Sequence, residues 1–404
     1  MLTRLRSANQ LLTVDDYRAL AKRRLPRVAF DFVDGGAESE QTERENRRAF
    51  EQVWLRPQVG TSVGSPNLAV NVLGTDISMP VILGPTGMAR IVHPDGDLAA
   101  ARAAAKANTI FTLATRSGHS IEEIAETGNE RLWFQVYNVS GRASVEDALS
   151  RAEKAGYKAI AMTFDTQTGG KRERDLRNGA RALVSTNRMR ALPYTPQLFL
   201  RPRWFLERYR DGLIPTTPNV RSADGTTPQL STEQREEGVG GERMAVGWAD
   251  IDWVREAWHG PILVKGLLTA EDAKRAVDAG VDGIVVSNHG GRQLDCAPST
   301  LAVLPEIASV AGSHCTILLD GGIRRGSDVV KALSLGAKAV LIGRPWVYGL
   351  GAAGQDGIES ILSILRSDIA RTLQLMGCPG VDALGRSAVK APAEWFEEVS
   401  TVIY

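Results

Sequence analysis

Residues 283–295 read GIVVSNHGGRQLD: an apolar run passes directly into a histidine, two glycines and an arginine. A buried strand that ends this way delivers a base and a cation to one rim of a fold. The plainer alternative is a polar turn. The rest of the chain decides between them, because runs of the same kind recur. VILG (81–84), IFTLA (110–114), WFQVY (133–137) and AIAMT (159–163) precede it, then ILVK (262–265); IVVS (284–287) lies within it, and ILLD (317–320) and AVLI (339–342) follow. These runs are compact and apolar, as expected of parallel strands covered on both faces.

Helix signals fill the intervals. DLAAARAAAKAN (97–108) is rich in alanine, SIEEIAETG (120–128) starts on Ser-x-x-Glu and stops on glycine, and TAEDAKRAVDAG (269–280) and RGSDVVKALSLG (325–336) close on glycine too. Strand–helix alternation repeated eight times predicts an α/β fold, a (β/α)8 TIM barrel over residues 81–377; a doubly wound sheet is the alternative. The whole chain, 1–404, reads as a single domain. Residues 1–80 hold a helix, VDDYRALAKRRL, and a hairpin around LAVNVLGTDI, expected to close the barrel floor. Residues 176–247 form a long insert after strand four, rich in Arg, Pro, Thr and Gly, and read as a lid or loop. Its basic-aromatic piece LFLRPRWFLERYR (198–210) raises a second reading, contact with a membrane or partner, although its prolines weaken an amphipathic helix pattern.

Composition narrows the function classes. The chain carries 48 Lys+Arg against 47 Asp+Glu, a net charge of +1, so no global charge points to nucleic acid. Hydrophobic residues make up 43% and charged ones 24%, enough apolar material for a large core. Cys296, Cys315 and Cys378 show neither paired nor metal-ligand spacing, which fits free thiols in a reducing compartment. No run approaches the roughly 18 apolar residues of a membrane span, and the first residues lack a signal-peptide core. The expectation is a cytoplasmic protein, with peripheral contact on the inner membrane face if the insert provides it.

In a barrel of this kind the active site lies at the C-terminal strand ends. Here those ends are chemically loaded. Strand one runs into GPTGM, strand three brings Gln135 and Tyr137, strand four Thr163 and Asp165, and strand five Lys265. Strand six brings Ser287, His289 and Arg292, strand seven Asp320, and strand eight Gly343 and Arg344. Any one of these has a bland reading as a strand-end polar group; convergence on one face favours a site. DGGIRRG and IGRPW follow the last two strands, and glycine N–H groups with Arg324 and Arg344 suit a phosphate. The plain alternative there is two glycine turns with surface arginines.

These residues resemble the FMN-dependent 2-hydroxy acid dehydrogenase and oxidase family, which includes glycolate oxidase, L-lactate dehydrogenase and mandelate dehydrogenase. SNHGGRQLD matches that family's active-site motif. LPRVAFDFVDGGAE, GPTGM, FQVY, LVKG, LDGGIRRGSDV and IGRP match in the same order, over about residues 13–390. SNHGGRQLDCA and RTLQLMGCP look most like the bacterial mandelate and lactate dehydrogenase branch. The resemblance implies FMN, with its phosphate near Gly322, Arg324, Gly343 and Arg344. It places the flavin ring against Pro85, Thr86, Gly87, Gln135, Thr163 and Lys265, and counts Ser287 and Asp320 among the cofactor-binding residues. It also implies His289 as base, Asp165 as its carboxylate partner, and Arg292, Arg172 and Tyr137 as holders of the substrate. A homotetramer, a small 2-hydroxy acid and a quinone or other electron acceptor come with it.

Four positions depart from the pattern or qualify it. Phe32 stands where the family usually has a substrate-binding tyrosine, a loss of about 0.5–1.5 kcal/mol for one hydrogen bond. Ala114 and Arg116 replace residues that commonly face the flavin and pocket, and Arg116 would add a cation at the rim. Gly87 stands where the oxidases usually carry alanine, which favours a dehydrogenase. The expected activity is oxidation of an (S)-2-hydroxy acid to the 2-oxo acid. The rival readings are an O2-using oxidase, a family member acting on a modified peptide or larger alcohol, a non-redox phosphate-binding barrel, and a scaffold without catalysis.

Overall fold

The computed structural model describes residues 11–180, 188–212, 216–221 and 246–396. Eight parallel strands close into a barrel: β1 (Val81–Leu83), β2 (Phe111–Ala114), β3 (Leu132–Val136), β4 (Ala159–Thr163), β5 (Ile262–Leu267), β6 (Gly283–Val286), β7 (Thr316–Asp320) and β8 (Ala339–Ile342). Each pairs with its neighbours in sequence, and β8 closes on β1 through Val340–Val81, Leu341–Ile82 and Ile342–Leu83. All eight runs read from the sequence are therefore barrel strands, with ends moved by a residue or two. Closure, and not an open doubly wound sheet, follows because no strand is left at an edge.

Within the compact apolar runs an alternation decides what faces inward. Ile82, Ile110, Trp133, Ala161, Leu263, Val285, Leu318 and Leu341 form one cluster inside the barrel. Their neighbours Leu83, Phe134, Ile160, Val264, Ile284, Leu319 and Val340 pack outward under the helices. The hairpin of Val70–Val72 and Thr75–Ile77 places Val70, Val72 and Ile77 in the inner cluster, so it plugs one end of the barrel.

Ahead of the barrel, α1 (Val14–Arg24) starts on a capping box between Thr13 and Asp16. Helices α2 (Arg27–Asp34) and α3 (Gln41–Gln52) follow. In the insert, α4 (Glu173–Arg177) is followed by short turns and by α5 (Pro202–Asp211). Pro196 and Pro202 each sit in the first turn of a helix, where the missing N–H has no partner to lose. Pro202 thus parts the piece 198–210 between two helices and opens the second. Residues 181–187, 213–215 and 222–245, the remainder of the presumed lid or loop, lie outside the described residues. The last barrel helix, α6 (Arg344–Leu375), kinks at Ala353 and Gly354 and packs along α1. Among the described residues no helix is long and apolar enough to cross a membrane.

Candidate active site

The inward alternation continues past the apolar layer and generates the site. Two residues beyond Trp133, Ala161, Leu263, Val285, Leu318 and Leu341 stand Gln135, Thr163, Lys265, Ser287, Asp320 and Gly343. A period of two sends all of them into the mouth of the barrel. They join into a hydrogen-bonded rim: Gln135 Nε2 donates to Thr163 Oγ1 at 3.0 Å and Lys265 Nζ to Ser287 Oγ at 2.7 Å.

Lys265 is buried, and its ammonium lies 3.1 Å from Asp320 Oδ2. Burial disfavours its charge, but Asp320 and then Asp165 more than offset this and hold its pKa above the ordinary lysine value. Lys265 is therefore a fixed cation at the bottom of the mouth. A β-bulge between Lys265 and Leu267 turns the end of β5 toward Asp165.

One more step of two brings Asp165 and His289. His289 Nδ1 lies 3.0 Å from Asp165 Oδ1. The opposing effect of burial is outweighed by His289 and Lys265, so Asp165 titrates below its ordinary value and is an anion. A carboxylate only accepts, so Nδ1 carries the proton and Nε2 keeps its lone pair. Burial, reinforced by Lys265 and opposed by Asp165, holds the imidazole pKa below 6.5. The result is a neutral, oriented base. Tyr137 Oη stands 3.4 Å from Nε2. His289 itself has φ +58°, and Gly290 and Gly291 continue in the left-handed region; the His289 N–H bonded to Ser287 Oγ at 3.1 Å steadies the turn.

Above the base lies a cluster of like charge. Arg292 and Arg172 both approach the Phe32 ring, with guanidinium carbons 5.5 and 6.0 Å from its centroid. Burial, then Arg172 and Arg344, depress the pKa of Arg292 far below the ordinary guanidinium value. A cation so placed is stabilised by any anion that enters. Arg172 is braced by Asp175 at 3.7 Å, and its helix α4 is pinned by Arg174, which bonds Asp34 at 2.7 Å and also Glu40. Asp34 in turn accepts from Arg18 at 2.6 Å and from Tyr348 Oη at 2.8 Å.

At the far end of the same cavity lie Gly322, Arg324, Gly343 and Arg344. Gly322 has φ +80°, and a Cβ there would stand 2.1 Å from Asn46 O, so only glycine fits. Arg324 is buried, and its Nε has no partner in the structure, an orphaned donor beside the N-terminus of α6. The Arg344 guanidinium donates to Val33 O at 3.2 Å, Gly290 O at 2.7 Å and Gly35 O at 2.9 Å, so three of its five N–H groups clamp three loops. Arg324 Nε is a further donor open to an anion.

Phe32, Pro85, Thr86, Gly87, Gln135, Tyr137, Thr163, Arg172, Lys265, His289, Arg292 and Asp320 line this one cavity with the far-end group. Ala114 and Arg116 line it as well. Asp165 and Ser287 stand behind the lining, the first holding His289 and the second Lys265. Sequence reasoning missed Met88, Thr166 and Gln293 in the wall. Gln293 donates to Asp165 O and Thr168 O, each at 3.0 Å, and so fixes the loop after β4. Its place beside Arg292 was the available signal. Asp295 was missed too: it accepts from Ser39 and Thr42 and ties α3 to the loop after β6.

Comparison with known proteins agrees with this geometry. The model of the FMN-dependent dehydrogenase family matches residues 21–391. The peroxisomal (S)-2-hydroxyacid oxidase GLO3 of Arabidopsis thaliana is 41% identical over 386 residues, 96% of this chain and 98% of that protein. The (S)-mandelate dehydrogenase of Pseudomonas putida is also 41% identical, over 93% of each chain. A crystal structure of the monotopic membrane protein (S)-mandelate dehydrogenase superposes with a TM-score of 0.86 at 40% identity, covering 95% of this chain and all of that one. With a match over nearly its whole length and a cavity built from the residues the resemblance singled out, this chain belongs to the FMN-dependent dehydrogenase family.

Proposed function

We propose that this protein oxidises an (S)-2-hydroxy acid to the corresponding 2-oxo acid with FMN. The observation that carries the reading is a neutral His289, oriented by Asp165, in one cavity with the Arg172–Arg292 pair and the fixed cation Lys265. The residues present fit FMN. The orphaned Arg324 Nε, the α6 N-terminus and the Gly321–Gly322 turn suit its phosphate. Bound FMN supplies a two-electron acceptor, and Lys265 would stabilise negative charge on its ring. Arg292 and Arg172 hold the substrate carboxylate, and that contact relieves their mutual repulsion. Nε2 of His289 takes a proton from the substrate, while Asp165 stabilises the imidazolium so formed. Tyr137 Oη, near Nε2, orients the reacting hydroxyl.

Anaerobic mixing of the purified yellow protein with glycolate, lactate and mandelate tests this. At least one acid should bleach the flavin; if none does, the substrate assignment fails, and colourless protein would instead favour a non-redox barrel. Admitting air then separates the two acceptor classes. A slow return of colour supports a quinone or other carrier, and a fast one supports O2. Gly87 favours the carrier by resemblance, but packing also restricts the position, since a Cβ there would stand 3.3 Å from that of Arg116.

The insert supports a peripheral membrane contact within this reading. Phe199, Leu200, Leu206 and Tyr209 are 52–71% exposed beside the exposed Arg203 and Arg210. An apolar face edged with arginines suits an anionic bilayer surface. Co-sedimentation with anionic vesicles, absent with neutral ones, is the expected outcome. A homotetramer is the assembly that the resemblance carries.

A further inference from the structure

The described parts of the insert converge on two loops that wall the cavity. Helix α5 turns one side to solvent and the other onto residues 89–92, which continue the segment Pro85–Thr86–Gly87–Met88. Trp204 Nε1 donates to Ile91 O at 3.0 Å, and Arg208, fully buried, donates to Arg90 O at 2.8 Å. Asp211, the last residue of α5, receives Arg90 through two parallel bonds of 2.9 and 2.6 Å, and it also receives Arg208 at 2.5 Å. The remaining arm of Arg90 reaches the second loop, where Nη1 donates to Gly118 O at 2.9 Å. A Cβ on Gly118 would stand 2.9 Å from Arg90 Cβ, so the side chain is wedged against that loop.

The same two loops touch each other and the cavity. Met88 N–H donates to Arg116 O at 2.9 Å, and Gly87, Met88 and Arg116 all line the pocket. Beyond Gly118 the second loop is gripped again by the insert. Asn219, buried, donates to His119 O and accepts from Ile121 N–H, each at 2.9 Å. Ser117, donating to the buried Asp97 at 2.7 Å, anchors the loop from below. The insert therefore holds the 85–92 and 115–121 loops through four residues, Trp204, Arg208, Asp211 and Asn219, with a bidentate ion pair as the strongest contact.

We propose that Asp211 is a positioning residue for the reaction: through Arg90 it sets the backbone of Gly87 and Met88 against the flavin ring, so that seating of the insert governs the geometry of hydroxy acid oxidation. The proposal rests on the flavin reading above and adds a residue in a segment that the motif resemblance does not reach. Asp211 is not among the residues that line the cavity. Its carboxylate acts by fixing one guanidinium that bridges two loops, and a displaced wall at the ring changes both the flavin's surroundings and the alignment for transfer.

The test uses the FMN-bound full-length protein. Visible circular dichroism of the oxidised flavin, its midpoint potential, the anaerobic reduction rate and the thermal midpoint are measured for wild type, Asp211→Asn, Asp211→Glu and Arg90→Lys. Asp211→Asn should keep FMN but alter the visible dichroism, and should slow reduction on the order of 10-fold with little change in KM. Asp211→Glu, which retains the charge, should recover part of both signals. Arg90→Lys keeps the charge but loses the fork, so it should resemble Asp211→Asn. A lowered thermal midpoint with dichroism, potential and reduction rate all at wild-type values would overturn the proposal and leave Asp211 a structural residue. Should Asp211→Asn fail to fold, Arg90→Lys decides on the same readouts. Dichroism and potential need no substrate, so they judge the positioning role even if no hydroxy acid bleaches the wild type.

Discussion

Lys265 and Arg292 are both cations drawn into the same barrel mouth, yet their surroundings are opposite. Lys265 meets Asp320 at 3.1 Å and Ser287 at 2.7 Å, and its charge is favoured. Arg292 meets Arg172 and Arg344, donates to the Gly35 carbonyl, and its charge is disfavoured. The cation of the floor is paired within the chain, whereas the cation of the rim is paired by what binds. A compensated cation is a fixed part of the fold, and an uncompensated one is an invitation to an anion.

The largest effect is expected between these two layers. His289→Ala removes the base and should slow flavin reduction by about 10²–10⁴-fold, with the bound FMN spectrum retained; stopped-flow absorbance measures it. Exchanging each cation for methionine then contrasts floor and rim directly. Lys265→Met leaves Asp320 buried without its partner and should cost about 3–5 kcal/mol of stability, read by urea unfolding. Arg292→Met should leave stability level or raised, because a repulsion is removed, while substrate binding weakens by about 2–5 kcal/mol, a rise in KM of roughly 30-fold or more. The opposite assignment, stability lost at 292 and KM at 265, would dissolve the comparison.

The pH profile sharpens it further. His289 is held below its ordinary 6.5, and in the proposed reaction the neutral form is the active one. The reduction rate should therefore stay level as pH falls through 6.5 and decline only below that, by about tenfold per unit once the imidazole is mostly charged. The stability linkage has the same sign. Folding holds the ring neutral, so stability is present above 6.5 and decreases as pH falls and the unfolded chain takes up the proton. The smallest effect concerns Phe32. Its ring already lies against both guanidiniums, so the absent hydroxyl is partly replaced by cation–π contact. Phe32→Tyr should add about 0.5–1.5 kcal/mol to binding of a small hydroxy acid, seen as a KM roughly 2- to 10-fold lower.

The eight strands were legible because burial on both faces leaves an apolar run that helix periodicity does not imitate. The floor of the site was legible in part for a different reason. Lys265, Gln135 and Asp320 interrupt or end apolar runs, where a polar group needs a cause. The partnership of His289 with Asp165, 124 residues apart, came only from resemblance, because no local pattern records a contact across a barrel. Asp34 gave no signal at all. Its three partners Arg18, Arg174 and Tyr348 are distant in the sequence, and such ion networks are set by tertiary geometry alone. Arg344 was read as a phosphate ligand from a glycine–arginine motif at a strand end, and its grip on the carbonyls of Val33, Gly35 and Gly290 left no local mark in the sequence.

That three-way clamp has a practical corollary for anyone trimming or grafting the protein. Because a residue opening the final barrel helix grips carbonyls from the amino-terminal segment and from the histidine loop, the eightfold repeat alone is not a transplantable unit. Excising the first forty residues would remove a wall of the cavity together with the strap across it. A minimal scaffold has to carry that leader along.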